Sequence, residues 1–176
     1  NTIAWYENNG ASDPSFTAAD IATSADGAYS VFAADMDNDG DMDIVSASRD
    51  DDTIAWYENN GAADPSWTAA DIATSADVAS SVFAADMDND GDMDIVSASR
   101  DDNTIAWYEN TMDKGMISGW TAADIATTSA QAAKSVFAAD MDNDGDMDIG
   151  SASFGGAIAW YENDGAANPS WTAADI

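Results

Sequence analysis

Along this chain the apolar residues come in runs of five to eight positions, divided by clusters of Asp, Asn, Gly, Pro and Ser, and no stretch carries them at i, i+3, i+4 and i+7 over three turns. That punctuation predicts strands and turns rather than helices. Four runs follow one another in fixed order: SVFAADM at 30–36, MDIVSAS at 42–48, TIAWYEN at 53–59 and WTAADIAT at 67–74. Alternation in the third sets Ile54 and Trp56 on one face and Ala55 and Tyr57 on the other, so both faces are apolar and both need cover. The fourth run, with its helix-tolerant Ala-Ala-Asp triplet, reads least sharply as a strand.

The set repeats. TIAWYEN at Thr2 returns at Thr53 and Thr104, 51 residues apart each time, and AIAWYEN follows at Ala157 after 53. Differences between copies collect in turns: the connection before Trp67 carries a proline that the longer one before Trp120 lacks. A unit of about 50 residues with four strands, apolar on both sheet faces, reads as a propeller blade stacked on its neighbours. The expected fold is therefore all-β, with four-stranded antiparallel blades at 30–74, 81–127 and 135–176 preceded by a half blade at 1–24. Three and a half blades do not close a propeller, which takes about four to eight. The expectation is a segment of a longer propeller, all the more as the chain opens at Asn1 without Met; the alternative is an open array whose edges pair with other chains.

Between the first and second strands of each unit stands DMDNDGDMD, at 35–43, 86–94 and 140–148. Two unit charges about 4 Å apart repel by roughly 4 kcal/mol at an effective dielectric near 20. Five carboxylates in one loop therefore need a cation, and the chain offers only Arg49, Arg100, Lys114 and Lys134, with no His. The candidate ligands are Asp35, Asp37, Asp39, Asp41 and Asp43, then Asp86, Asp88, Asp90, Asp92 and Asp94, then Asp140, Asp142, Asp144, Asp146 and Asp148. Counting from Asp35, oxygens fall at positions 1, 3, 5 and 9, a glycine sits at 6, and Asp41 at 7 can offer its backbone carbonyl. An EF-hand loop shares 1, 3, 5, 6 and 7 but ends on a bidentate Glu at 12, where this chain has Ser46, Ser97 and Ser151. Asp43, Asp94 and Asp148 are candidates for the remaining ligand. An all-oxygen set favours Ca²⁺ over zinc or copper, and Mg²⁺ seldom accepts an all-protein cage; Mn²⁺ stays open. Three Ca²⁺ sites are expected, since a merely solvated acidic turn would not repeat a ligand spacing three times.

Three divalent ions would offset only a fifth of the formal charge of −30. The residual field disfavours nucleic acid and anionic membranes as partners. No apolar run approaches the roughly 18 residues of a spanning helix, so membrane insertion is not expected. Calcium sites of modest affinity suit an extracellular, secreted or cell-surface setting, and zero cysteines mean only that disulfides do not hold the fold.

The loop after a VFAAD-like strand, the DIVSAS strand, the WYENNG segment and Phe154-Gly155-Gly156-Ala157 together resemble the FG-GAP, or VCBS, repeats of integrin alpha-subunit propellers. The resemblance covers essentially the whole chain. It implies Ca²⁺ in the loop joining the first two strands of each blade, and an adhesion or recognition scaffold with a protein or glycan ligand. Arg49-Asp50-Asp51 and Arg100-Asp101-Asp102 depart from it by replacing the Phe-Gly-Gly segment in two units. Catalysis is not expected: Glu7, Glu58, Glu109 and Glu162 recur identically rather than converging once, and no Ser has an imidazole partner. Two alternatives stand beside the scaffold reading, a non-catalytic propeller domain of a larger secreted enzyme and a lectin. Tryptophans repeated in the third strand (Trp5, Trp56, Trp107, Trp160) suit blade packing, and Trp67, Trp120 and Trp171, nearer the turns, are the better candidates for sugar contact.

Overall fold

The structure, a computed structural model, describes residues 1–112, 119–127, 130–154 and 157–175. Lys114, Gly155, Gly156 and the terminal Ile176 lie outside the described residues. Among the described residues, fourteen strands form one two-stranded and three four-stranded antiparallel sheets. The first holds β1 (Ile3–Asn8) and β2 (Phe16–Ala22). The second runs in order β3 (Ala28–Ala34), β4 (Asp43–Ser48), β5 (Thr53–Asn59) and β6 (Trp67–Ala73). The third is β7 (Ala79–Ala85), β8 (Asp94–Ser99), β9 (Thr104–Asn110) and β10 (Trp120–Ala126). The fourth is β11 (Ala133–Ala139), β12 (Asp148–Ser153), β13 (Ile158–Asn163) and β14 (Trp171–Asp175). These are propeller blades, each a meander with its strands in sequence order.

Strand ends differ from the expected runs for a local reason. The first strand of each blade begins two residues earlier and stops at Ala34, Ala85 or Ala139, because the next methionine amide leaves the ladder: Met36 N–H donates to Asp43 Oδ2 at 3.1 Å. Met42, expected in the second strand, lies outside it and is exposed. In all three first strands the register slips by one residue, at Tyr29, Ser80 and Lys134.

The two-faced third strand is covered on both sides. Ile54, Trp56 and Val45 pack with Val82, Ala84, Ile95, Ala106 and Tyr108 of the next blade, while Ala55 and Tyr57 pack with Ile3, Ile21 and Ala25 of the half blade. One blade on, Val96, Ile105 and Trp107 meet Val136, Ile149, Ala159 and Tyr161. Each blade thus offers its Ile/Trp face forward and its Ala/Tyr face backward. Inner strand β7 packs against both β3 and β11, which brings the first strands together on one side of the stack.

Candidate metal centres

Each aspartate loop is closed by a ladder pair at its base, Ala34 with Asp43, Ala85 with Asp94 and Ala139 with Asp148. Above that pair the chain reverses through a left-handed Asn (Asn38, φ 58°) and a glycine at φ 98° (Gly40), and the same pairing recurs at Asn89 with Gly91 and Asn143 with Gly145. Asn tolerates that region and glycine adopts it freely, which accounts for both residue types.

The reversal turns backbone N–H groups into the carboxylates. Asp35 accepts from Asp39 at 3.1 Å and Gly40 at 3.0 Å, Asp37 accepts from Asp39 at 3.2 Å, and Asp39 accepts from Asp41 at 2.9 Å. The second loop repeats this with Asp86, Asp88 and Asp90, and the third with Asp140, Asp142 and Asp144. These backbone bonds fix the orientation of the carboxylates.

Among the described residues three groups of carboxylates each bring their oxygens within 4.8 Å of one another: Asp35, Asp37 and Asp39; Asp86, Asp88 and Asp90; and Asp140, Asp142 and Asp148. Oxygens bound to one Ca²⁺ at 2.3–2.6 Å sit at most about 5 Å apart, so each group is compact enough to share a single ion. The donors are all hard oxygens, with no nitrogen or sulfur among them. Repulsion is registered in the ionisation: burial first, then the neighbouring Asp39 and Asp35, pushes the Asp37 carboxyl above its usual range, and Asp88 is raised in the same way by burial and then Asp90. In the third loop burial and the Asp144 charge raise Asp142.

The position-nine aspartates are buried and bind backbone on both oxygens. Asp43 accepts from Met36 at 3.1 Å and Asn59 at 2.8 Å, Asp94 from Met87 at 3.0 Å and Asn110 at 2.7 Å, and Asp148 from Met141 at 3.0 Å and Asn163 at 2.9 Å. They tie the loop to the end of the third strand, and Asp148 also joins its oxygen cluster. Burial pushes Asp43 up to about 6 and Asp94 to about 7. The position-seven side chains point elsewhere. Asp41 lies over Gly61 and Asp146 over Gly165, so close that a Cβ on either glycine would collide with the carboxylate. What Asp41, Asp92 and Asp146 can offer the loop interior is the main-chain carbonyl.

Asparagines join neighbouring loops. Asn38 donates from Nδ2 to Asp92 Oδ1 at 2.6 Å, and Asn89 to Asp146 Oδ1 at 2.7 Å. Asn110 donates to Met36 O at 2.8 Å and Asn163 to Met87 O at 2.7 Å, each reaching back to the loop of the preceding blade. Sequence reasoning missed these residues, although their recurrence in DNDG and WYEN was a visible signal. The third-strand tryptophans sit where packing predicts, Trp56 and Trp107 fully buried. Trp67, Trp120 and Trp171 are half-buried and pack against the inter-blade cores, with Trp171 edge-on to Trp107 at 6.5 Å. The four WYEN glutamates stay one per sheet, at the same ladder position in each.

A family model described as an FG-GAP-like repeat matches residues 1–46, 35–97 and 86–151. No curated protein is detectably similar to the chain.

Proposed function

The chain belongs to the FG-GAP-like repeat family, and on that premise we propose that its three aspartate loops hold structural Ca²⁺ in a propeller that serves recognition or adhesion outside the cell. The observation that carries this reading is the compact oxygen group in every loop, built on backbone bonds that aim the carboxylates inward. A bound divalent cation would oppose the burial and the like-charge repulsion that raise Asp37, Asp88 and Asp142 and would fix the hairpin joining the first two strands. Because neighbouring loops are hydrogen-bonded through Asn38, Asn89, Asn110 and Asn163, ordering one loop supports the next blade. Millimolar extracellular calcium suits such sites, which supports a secreted or cell-surface setting. The blades act as a non-catalytic scaffold for a protein or glycan ligand. That part of the reading rests on the WYEN glutamates being spread one to a sheet.

The experiment is calorimetric melting of the protein before and after chelation, with a calcium titration alongside. Ligands that bind only the native state stabilise it by mass action, about 2.7 kcal/mol at a hundredfold excess over Kd for each site. The expected result is three equivalents bound and a melting midpoint that falls sharply in chelator and returns with Ca²⁺ but not with Mg²⁺. An unchanged melting curve in chelator would refute the proposal.

A further inference from the structure

At the ends of the inner strands opposite the metal loops, three successive blades meet at a pocket of about 40 Å³ lined by Tyr29, Arg49, Val78, Ser80, Arg100 and Lys134. Every Lys and Arg among the described residues of this acidic chain is in that lining. The pocket is also where the repeats disagree. Tyr29, Ser80 and Lys134 occupy one equivalent position, the residue at which the first-strand register slips, just before the Ser-Val-Phe-Ala-Ala-Asp-Met run that all three blades share. A scaffold position needs the same residue in each copy, whereas a binding site needs different residues converging once.

The pocket is built. Ser80 is buried, with its Oγ 2.9 Å from Ala98 O and 2.8 Å from Ala133 O, which fixes the middle blade to the next. Arg49 and Arg100 each engage the following aspartate through Nε, at 2.9 and 2.6 Å, which sets the plane of the guanidinium and leaves its Nη edge without a protein acceptor among the described residues. Lys134 stands 4.5 Å over the Phe154 ring, with no carboxylate in salt-bridge range among the described residues. Around this cationic floor Tyr29 and Phe154 are 62% and 70% exposed. A guanidinium edge recognises a planar carboxylate, and an exposed aromatic face takes the C–H face of a sugar ring.

We propose that this pocket binds the carboxylate of a uronic acid, with Arg49, Arg100 and Lys134 on the carboxylate and the pyranose ring outside against Tyr29. The volume admits a carboxylate and not a whole sugar, so the ring stays at the rim. The overall charge of −30 repels polyanions, which selects a ligand with a single negative group. This gives the recognition role a ligand class and rests on that reading.

The test titrates glucuronate into ¹⁵N-labelled protein in saturating Ca²⁺, with glucose as the neutral ring and sulfate as the ring-free anion. The expected result is saturable shifts at the Arg49 and Arg100 Nε–H and the Ser80 amide, with glucose and sulfate each at least about tenfold weaker. Arg100→Gln and Lys134→Met should each weaken glucuronate by about tenfold at an unchanged melting midpoint, and Lys134→Arg should restore it. Equal binding of glucose, equal binding of sulfate, absence of saturable shifts, or indifference to both charge-removing variants would overturn the proposal. Should chelation leave melting and glucuronate binding both intact, the structural-calcium reading falls and the uronate site stands.

Discussion

Replacing Asn110 with Ala isolates the bond that joins one blade to the loop before it. The side chain is 2% exposed, and its Nδ2 donates to Met36 O at 2.8 Å and Met93 O at 3.1 Å while Oδ1 accepts from Met112 N at 3.1 Å. Truncation leaves the fully buried Met36 with a carbonyl that no water replaces easily. A buried polar group left unpaired costs about 1–3 kcal/mol, and a more accessible lost hydrogen bond about 1 kcal/mol. With the Met93 and Met112 bonds counted as two more accessible losses, Asn110→Ala should therefore destabilise by about 3–5 kcal/mol.

The molecule supplies its own control. Asn59 is the equivalent residue one blade earlier, yet its side-chain amide donates only to Met42 O of its own loop, at 3.1 Å in an exposed setting. Asn59→Ala, which loses that bond and the one Oδ1 accepts from Gly61 N at 3.1 Å, should cost about 2 kcal/mol, and Asn163→Ala, which loses Met87 O at 2.7 Å, Met147 O at 3.1 Å and the bond from Gly165 N at 3.0 Å, should resemble Asn110→Ala. Urea denaturation in saturating Ca²⁺, followed by tryptophan fluorescence, measures all three. If Asn59→Ala proves as costly as the other two, the inter-blade bond is not what the buried asparagines contribute, and the reasoning fails.

Three further outcomes follow from the same geometry. Asn38→Gly keeps the left-handed backbone but deletes the 2.6 Å bond to Asp92, and Asn38→Asp sets a carboxylate against it; calcium titration should show weakened binding in both, with Asn38→Asp the weaker and the more salt-dependent. Asp43 and Asp94 are raised to about 6 and about 7 from 3.8, so between about pH 4 and pH 7 the metal-free fold holds more protons than the unfolded chain and loses stability as pH rises. Melting in chelator should accordingly improve from pH 7.5 to pH 5, whereas the stabilisation gained on adding Ca²⁺ should be larger at pH 7.5; a metal-free midpoint that rises with pH contradicts the assignment. Trp107→Ala empties a fully packed inter-blade site and should cost about 3–5 kcal/mol, while Trp160→Ala, at a half-buried position of the last blade, should cost clearly less in the same urea assay.

What the sequence disclosed and what it hid divide by range. The strands were legible because alternation and turn residues act within a few positions, and the two-sided burial of Ile54, Ala55, Trp56 and Tyr57 follows from their order alone. The loop ligand spacing is equally local. Asn110 and Met36 are 74 residues apart in sequence, and only the stacking of blades brings them together, so nothing near either residue announces the bond. The same holds for Tyr29, Ser80 and Lys134: each looks like an ordinary exception inside its own repeat. Position seven shows a subtler limit, since the pattern marks Asp41 as part of the loop but does not say that its side chain turns away onto Gly61.

The aspartate loops and the cationic pocket occupy opposite ends of the same strand pair, where Ala34 meets Asp43 at one end and Ala28 meets Ser48 at the other. Seven residues of β3 separate them, about 20 Å at roughly 3.3 Å per residue. Screening at physiological ionic strength acts over about 8 Å, so the charge of a bound cation is spent well before it reaches Arg49. Calcium bound in the loops, as proposed, would therefore influence the pocket through order rather than through field. Ser80 and Lys134 come from different blades, and the pocket exists only while β7 and β11 stay in register with each other. The Asn163 bond to Met87 O holds that register and the Asn110 bond to Met36 O holds the blade before it, so the proposed anion site at one end of the blades would depend on the acidic loops at the other without any direct attraction between them.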